Sequence, residues 1–415
     1  MFAMILGTVL LMAIGWYFFQ KRPSNTHKFD DSYLSKSQQK KLAKESKNEK
    51  STVDPEEQKD GKSSKKNQQV AAKKPKNKVD HQFFFKSFKK NESNILDFDI
   101  SRDNQYIAIA SKDRYHVLYD IKKDSVVKFM TSSQLFNLDT IPHSIAVSEH
   151  GSIVAIALEN KVTIFKKKGD ALVQLSCFEA TKDKILGLYV SEEPEFLVVA
   201  GSLMHCSYHV YDLQGHQQKY VKSDISGGYK VHFEKFRRRC VYYSDNPDIR
   251  IFGSQFSVKG EWKDFAKEHS AFGHKNGVLC GCFSWKSNTF FSLSKDKTLK
   301  QWDVSNTGFD DSHVRCIQSW EVDPALIGDK LSIEWVGTHG EGEKKVNYLC
   351  LAHGISLSFL KCSSAGLIKI DEINDAHHGE IIDKMTYIAS DKDENKGVLF
   401  TQSDKKLFSW KPKFE

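Results

Sequence analysis

The chain opens with a run of apolar residues, Met1 to Phe19, that contains no charged side chain. As a helix this run would extend about 28 Å, close to the roughly 30 Å of a bilayer's hydrocarbon core, so the pattern predicts a single transmembrane signal anchor over residues 1–19. From residue 20 to 80 the apolar periodicity disappears: Phe29 and Tyr33 are the aromatics there, and Lys, Ser, Asn, Gln, Glu and Asp dominate. A stretch of that composition buries too little apolar area to offset the entropy of ordering, which predicts a disordered linker. Beyond about residue 81 the pattern changes to short segments of period two, such as Ile95-Leu96-Asp97-Phe98-Asp99-Ile100 followed by Tyr106-Ile107-Ala108-Ile109-Ala110. Alternation at this period with short polar turns predicts strands rather than helices.

These strands come in units. A turn beginning with Ser recurs at Ser101, Ser148, Ser191 and Ser284, with Glu234 in the equivalent place of one unit. A later strand of each unit carries an aromatic residue at Tyr119, Phe165, Tyr211, Phe252, Trp302, Phe359 and Trp410, at intervals of 46, 46, 41, 50, 57 and 51 residues. Seven units of several strands at this spacing predict a radial all-β array over residues 81–415. Only five residues follow Trp410, which leaves the last unit short of its outer strand. The segment 81–90, with Phe83-Phe84-Phe85-Lys86-Ser87-Phe88, is the expected donor of a closing strand, because an open sheet edge would otherwise remain.

Charge sharpens this division. The formal net charge is +8, but residues 1–19 contribute 0, residues 20–90 contribute +11 and residues 91–415 contribute −3. A basic nucleic-acid-binding domain is therefore not expected. Lys21 and Arg22 directly follow Trp16-Tyr17-Phe18-Phe19, and no basic side chain precedes the apolar run. Positive charge marks the cytosolic flank, which places the β domain on the cytosolic side, and the absence of an A-x-A-like cleavage site argues against a removed signal peptide. The eight cysteines show no tight framework, as expected of a reducing compartment. A glycan on the sequon Asn91-Glu92-Ser93 would overturn that topology. The linker lysines read first as a solvated spacer, with contact to anionic lipid or RNA phosphates as the competing reading.

Residues 273–303 carry the most specific motif. Gly273-His274, then Ser294-Lys295-Asp296-Lys297-Thr298-Leu299-Lys300-Gln301-Trp302-Asp303, resembles a complete WD40 repeat. The last unit resembles it with His378, Asp404 and Trp410 in matching places, although Lys411 stands where the final Asp would be. The resemblance implies a seven-bladed WD40-type β-propeller in which His274, Asp296 and Trp302, and likewise His378, Asp404 and Trp410, belong to buried hydrogen-bonded networks. Ser292 and Ser294 are both candidates for the hydroxyl member. The whole layout of anchor, basic linker and propeller resembles one member of that family. This implies an endoplasmic-reticulum membrane protein that assembles protein partners at the cytosolic face, in stress signalling or translation control.

Other chemistry is sparse. Gly337 to Lys344 lacks the hydroxyl that a phosphate loop needs after its Lys, and no G-x-S-x-G or H-E-x-x-H occurs. Cys280-Gly281-Cys282 reads as core rather than as a zinc site. The expectation is a non-enzymatic scaffold with no cofactor, metal or small-molecule substrate. Lys235, Arg237, Arg238 and Arg239 form the densest basic cluster of the β domain and are the candidate partner-binding residues, weighed against an ordinary solvated turn. Two other classes stay open: a nucleotide-exchange regulator of a small GTPase, and an RNA or ribosome tether acting through the basic linker.

Overall fold

The computed structural model describes residues 81–415 apart from residues 89–92, 132–139, 183, 202–205, 258–260, 306–311, 329, 341–344, 391–392 and 415. The anchor expected over residues 1–19 and the linker expected over 20–80 lie outside the described residues. Among those described, no helix is long and apolar enough to cross a membrane.

The strands form seven sheets, each antiparallel among its four principal strands, and together they make a seven-bladed β-propeller. Blades 1 to 6 occupy residues 95–130, 142–179, 185–222, 228–271, 278–321 and 331–373 in chain order. Blade 7 takes Lys384–Ser390, Asp393–Gln402 and Leu407–Trp410, and its outer strand is the N-terminal Phe84–Ser87, which pairs antiparallel with Leu407–Trp410. Phe84 packs edge-on against Phe408 and Trp410, each at 5.5 Å between ring centroids. The ring is closed by pairing residues more than 300 positions apart, which covers the edge that Leu407–Trp410 would otherwise expose. Blade 4 has a fifth strand, Ser312–His313, running parallel to its outer strand Trp262–Ala271.

The recurrent Ser turn has a local cause. In blades 1, 2 and 5 the hydroxyls of Ser101, Ser148 and Ser284 accept the N–H of the residue five positions on (Tyr106, Ile153 and Thr289) at 2.9 to 3.1 Å, fastening the turn between the first and second strands. The inner strands of blades 1 to 5 share a register shift near their start, between Ile95 and Asp97, Pro142 and Ser144, Ile185 and Gly187, Gly228 and Lys230, and Val278 and Cys280. Such bulges bend the strand at the axis of the ring. The recurring aromatics of the third strands are buried between blades, with Trp302, Trp410 and Phe359 fully enclosed.

Candidate functional site

In blade 5, His274 precedes the inner strand, Ser292 lies on the second strand Thr289–Ser294 and Trp302 on the third, Thr298–Asp303. The Trp302 indole donates to Ser292 Oγ at 2.8 Å, and Ser292 Oγ lies 2.7 Å from His274 Nε2. His274 Nδ1 is 3.1 Å from Asp296 Oδ2. Because Ser292 already accepts from the indole, its own proton goes to Nε2, so Nδ1 carries the ring hydrogen and gives it to Asp296. Thr298 Oγ1 donates to Asp296 Oδ1 at 2.6 Å, and the Lys275 N–H to Oδ2 at 2.8 Å. Burial works against ionisation of Asp296, but these donors together hold its pKa well below the usual carboxylate range. Burial lowers the His274 pKa, against the raising influence of Asp296. Ser294 is not the hydroxyl of this network: it donates to the Asn276 carbonyl at 2.8 Å.

Blade 7 departs from the expected residues in two places. His377, not His378, enters the interior: its Nε2 is 2.7 Å from Thr401 Oγ1, which accepts the Trp410 indole N–H at 2.8 Å, and its Nδ1 is 2.8 Å from Ser403 Oγ. His378 adopts a left-handed backbone (φ 53°) next to Gly379, and this turn carries its ring out of the chain of bonds, leaving Nε2 without a hydrogen-bond partner. Asp404 is exposed, and the carboxylate of this blade is instead Glu380, which accepts from Ser403 Oγ at 2.6 Å and pairs with Lys406 at 2.9 Å. The physical reason lies in the hairpin. Hydroxyl and indole are ten positions apart in blade 5 and nine in blade 7, so the shorter turn cannot bring an Asp back onto the imidazole.

The basic cluster lies at the first turn of blade 4, on the face opposite His274, but each of its charges is engaged within the protein. Arg239 is 1% exposed; its Nε donates to Glu268 Oε2 at 2.5 Å and its Nη1 to the Val304 carbonyl at 3.0 Å. It therefore cannot meet a partner, which corrects its candidacy. A Cβ on Gly253 would lie 2.1 Å from Glu268 Oε1, so only glycine at that position admits the carboxylate beside Arg239. Lys235 reaches Asp99 Oδ2 at 2.6 Å and the Val147 carbonyl at 3.1 Å, bridging blades 1 and 2. Arg238 donates to the Glu193 carbonyl at 2.7 Å and lies over the Phe256 ring, and Arg237 donates to Asn288 Oδ1 at 2.6 Å. The three arginines thus tie blade 4 to blades 3 and 5, and Lys235 ties it across the ring to blades 1 and 2.

Among the described residues no group of three or more His, Cys, Asp or Glu side chains is placed to hold a metal ion. Cys280 and Cys282 are buried in the core, and burial pushes the Cys280 thiol up to about 12. All eight cysteines are free thiols. Sequence reasoning missed His377, Thr401, Ser403, Glu380 and Glu268. Only the doubled histidine at 377 and 378 was a visible signal of them.

Comparison with known proteins agrees with this geometry. Residues 266–303 match the WD40 family, described as WD domain, G-beta repeat. The chain is 23% identical over 258 residues to transducin beta-like protein 2 of Mus musculus, an alignment covering 59% of this chain and 57% of that protein. It is 22% identical over 265 residues to the Homo sapiens protein of the same name, covering 60% and 58%. The chain thus spans less than three-fifths of the length of these curated relatives in the aligned region. Its fold is similar to a chain in a structure described as Crystal Structure of Mitotic Checkpoint Complex, with a TM-score of 0.56 and 16% identity over 88% of this chain and 99% of that one. At that identity the likeness concerns the fold alone.

Proposed function

We propose that this chain is a non-enzymatic WD40 scaffold that gathers protein partners on the propeller face carrying the starts of the inner strands. One observation carries the reading. Tyr115, Ile141, Phe272, Ile355 and Ile381, from blades 1, 2, 4, 6 and 7 or the loops after them, are 37 to 57% exposed, and all lie at that one end of the strands. Exposed apolar side chains gathered on a polar rim are the usual mark of a protein-binding surface. The interior networks are consumed in holding blades together, and the basic cluster of the opposite face is occupied by internal contacts.

The uncharged run over residues 1–19, with Lys21 and Arg22 after it, supports anchorage in a membrane with the propeller on the cytosolic side. The similarity to transducin beta-like protein 2 supports our placing that membrane at the endoplasmic reticulum, in stress signalling or translation control. Proximity labelling in cells with the whole chain, against a form carrying Ile141→Asp, Phe272→Asp and Ile381→Asp, tests the reading. Partners should be lost with the substituted face while the unfolding midpoint is retained. An unchanged set of labelled proteins would exclude this face, and glycosylation at Asn91 would exclude the cytosolic topology.

A further inference from the structure

The inner strands of the blades line a partly open cavity of about 350 Å³. It is lined with more charge than a protein interior normally carries. Two of its ammonium groups are already occupied. Lys384 Nζ meets Asp97 Oδ1 and the Phe98 carbonyl, each at 2.7 Å, and Lys235 Nζ is held by Asp99. Asp97 and Asp99 accept in addition the N–H groups of Ile145 and Val147 at 2.9 and 2.8 Å. The acidic wall of blade 1 is thereby saturated, by Lys384 from blade 7 and Lys235 from blade 4.

The opposite wall is not. Lys230, on the inner strand Gly228–Glu234 of blade 4, lines the cavity with no hydrogen-bond or ion-pair partner among the described residues. Glu334, on the inner strand of blade 6, is 8% exposed and close enough to Lys230 for each to perturb the other's charge. Burial dominates at Glu334 and, despite the Tyr387 N–H and the two lysines, pushes its pKa up to about 8, so near neutrality its carboxyl is mostly protonated and a donor. His232 is neutral for the same reason, its pKa lowered by burial to about 3. The Ser332 hydroxyl, 7% exposed, completes this wall. The wall therefore presents, amid neutral donors, one amine that makes no salt bridge among the described residues; burial lowers its pKa, with the charge of Asp383 acting against that fall, and its ammonium form stays unfavourable until an anion sits beside it.

We propose that the cavity is a binding site for a small organic anion, its carboxylate or phosphate head held at Lys230 with Glu334 and Ser332 beside it, and its apolar body against Leu188 and Phe233. An inorganic ion alone underfills the space, which lies at the lower end of the roughly 300 to 1,000 Å³ of small-molecule pockets. The site is independent of the scaffold reading, since it faces the interior of the ring rather than the apolar rim.

Calorimetric titration of the full chain at neutral pH with benzoate, phenyl phosphate and the neutral benzamide provides the test. Saturable binding of benzoate or phenyl phosphate with a dissociation constant of about 1 mM or tighter, and about tenfold weaker binding of benzamide, is expected. A preference between the two anions supports the site and identifies its head group. Lys230→Met should weaken anion binding by at least about tenfold while Lys230→Arg retains it. Absence of saturable binding by both anions, or equal binding of benzamide, overturns the proposal on the unaltered protein alone. Undiminished binding by a folded Lys230→Met protein overturns it as well.

Discussion

Blades 5 and 7 both fasten themselves with a chain of bonds that runs from indole to hydroxyl to imidazole and ends on a carboxylate, yet they share few of the residues that a motif would list. In blade 5 the imidazole of His274 gives its Nδ1 hydrogen directly to Asp296. In blade 7 the same hydrogen of His377 passes to Ser403 Oγ, which in turn donates to Glu380. One hydroxyl has been inserted and one turn residue removed. What is kept is the direction of donation, because two buried ring N–H groups and one imidazole acceptor must all be satisfied whatever the loop supplies. The carboxylate is the exchangeable part. Asp296 is 7% exposed at its side chain, whereas Glu380 is 26% exposed and already paired with Lys406.

The most direct way to break this comparison is to remove the shared hydroxyl. Ser292→Ala strands both His274 Nε2 and the Trp302 indole, and Thr401→Val does the same to His377 and Trp410 with almost no change of shape. At about 1 to 3 kcal/mol for each buried group left unsatisfied, both variants should lose about 2 to 5 kcal/mol by urea denaturation. Ser294→Ala, whose hydroxyl donates to the Asn276 carbonyl and accepts the Asp296 N–H outside the chain of bonds, should lose less. If Ser294→Ala cost as much as Ser292→Ala, the chain of bonds drawn here for blade 5 would be wrong.

Removing the carboxylates should separate the two blades. Asp296→Ala leaves the Nδ1–H of His274, the Thr298 hydroxyl and the Lys275 N–H without their acceptor, a loss of about 1 to 3 kcal/mol. Glu380→Ala leaves Ser403 nearer to solvent and should cost about 1 kcal/mol or less, as expected of a part-exposed pair. Equal losses in the two variants would show that Ser403 does not buffer the imidazole from the carboxylate.

The seven-fold repetition was legible in the sequence because each unit repeats a local physical demand: a hydroxyl that fastens the first turn, and an aromatic that fills the gap between blades. Both leave a residue of one type at one place, as at Ser101, Ser148 and Ser284 or at Phe165, Trp302 and Trp410. Contacts set by register were not legible. Whether His377 or His378 turns inward depends on the left-handed turn at His378 and Gly379, and the loss of one hairpin residue cannot be seen until the strands are paired. Arg239 illustrates the limit most plainly. Within Arg237-Arg238-Arg239 it reads as surface charge, but its partner Glu268 lies 29 residues on, and the space for that pair exists because Gly253 has no side chain.

Acid should distinguish the two imidazoles. Burial lowers the pKa of His377 to about 3, while the fall at His274 is opposed by Asp296. An unfolded histidine binds its proton near pH 6.5, so between that pH and about 3 the unfolded chain holds the proton that folded His377 refuses. The stability from neutral His377 is therefore complete above about pH 6.5 and is lost as pH falls toward its folded value. His116 and His232, also lowered to about 3, contribute in the same direction, so the slope is shared. His377→Gln should flatten the dependence of the urea midpoint between about pH 6.5 and 4.5 more than His274→Gln does. Identical slopes in the two variants would mean that the carboxylate contact of blade 5 does not reach the imidazole's charge.

The smallest expected effects are the most discriminating for blade 7. Asp404 is exposed and outside the chain of bonds, and His378 contributes an edge contact with Phe408 at 6.2 Å between ring centroids but no hydrogen bond from its Nε2. Asp404→Ala should change stability by no more than about 0.5 kcal/mol, and His378→Ala by about 1 kcal/mol or less. His377→Ala, by contrast, empties a fully buried site and strands Thr401 and Ser403, for a loss of about 2 to 4 kcal/mol. The ranking matters more than any single value, because motif alignment and pairing geometry give opposite orders for the adjacent histidines. A larger loss from His378→Ala than from His377→Ala would restore the motif's alignment and return Asp404 to the site that Glu380 and Ser403 occupy together.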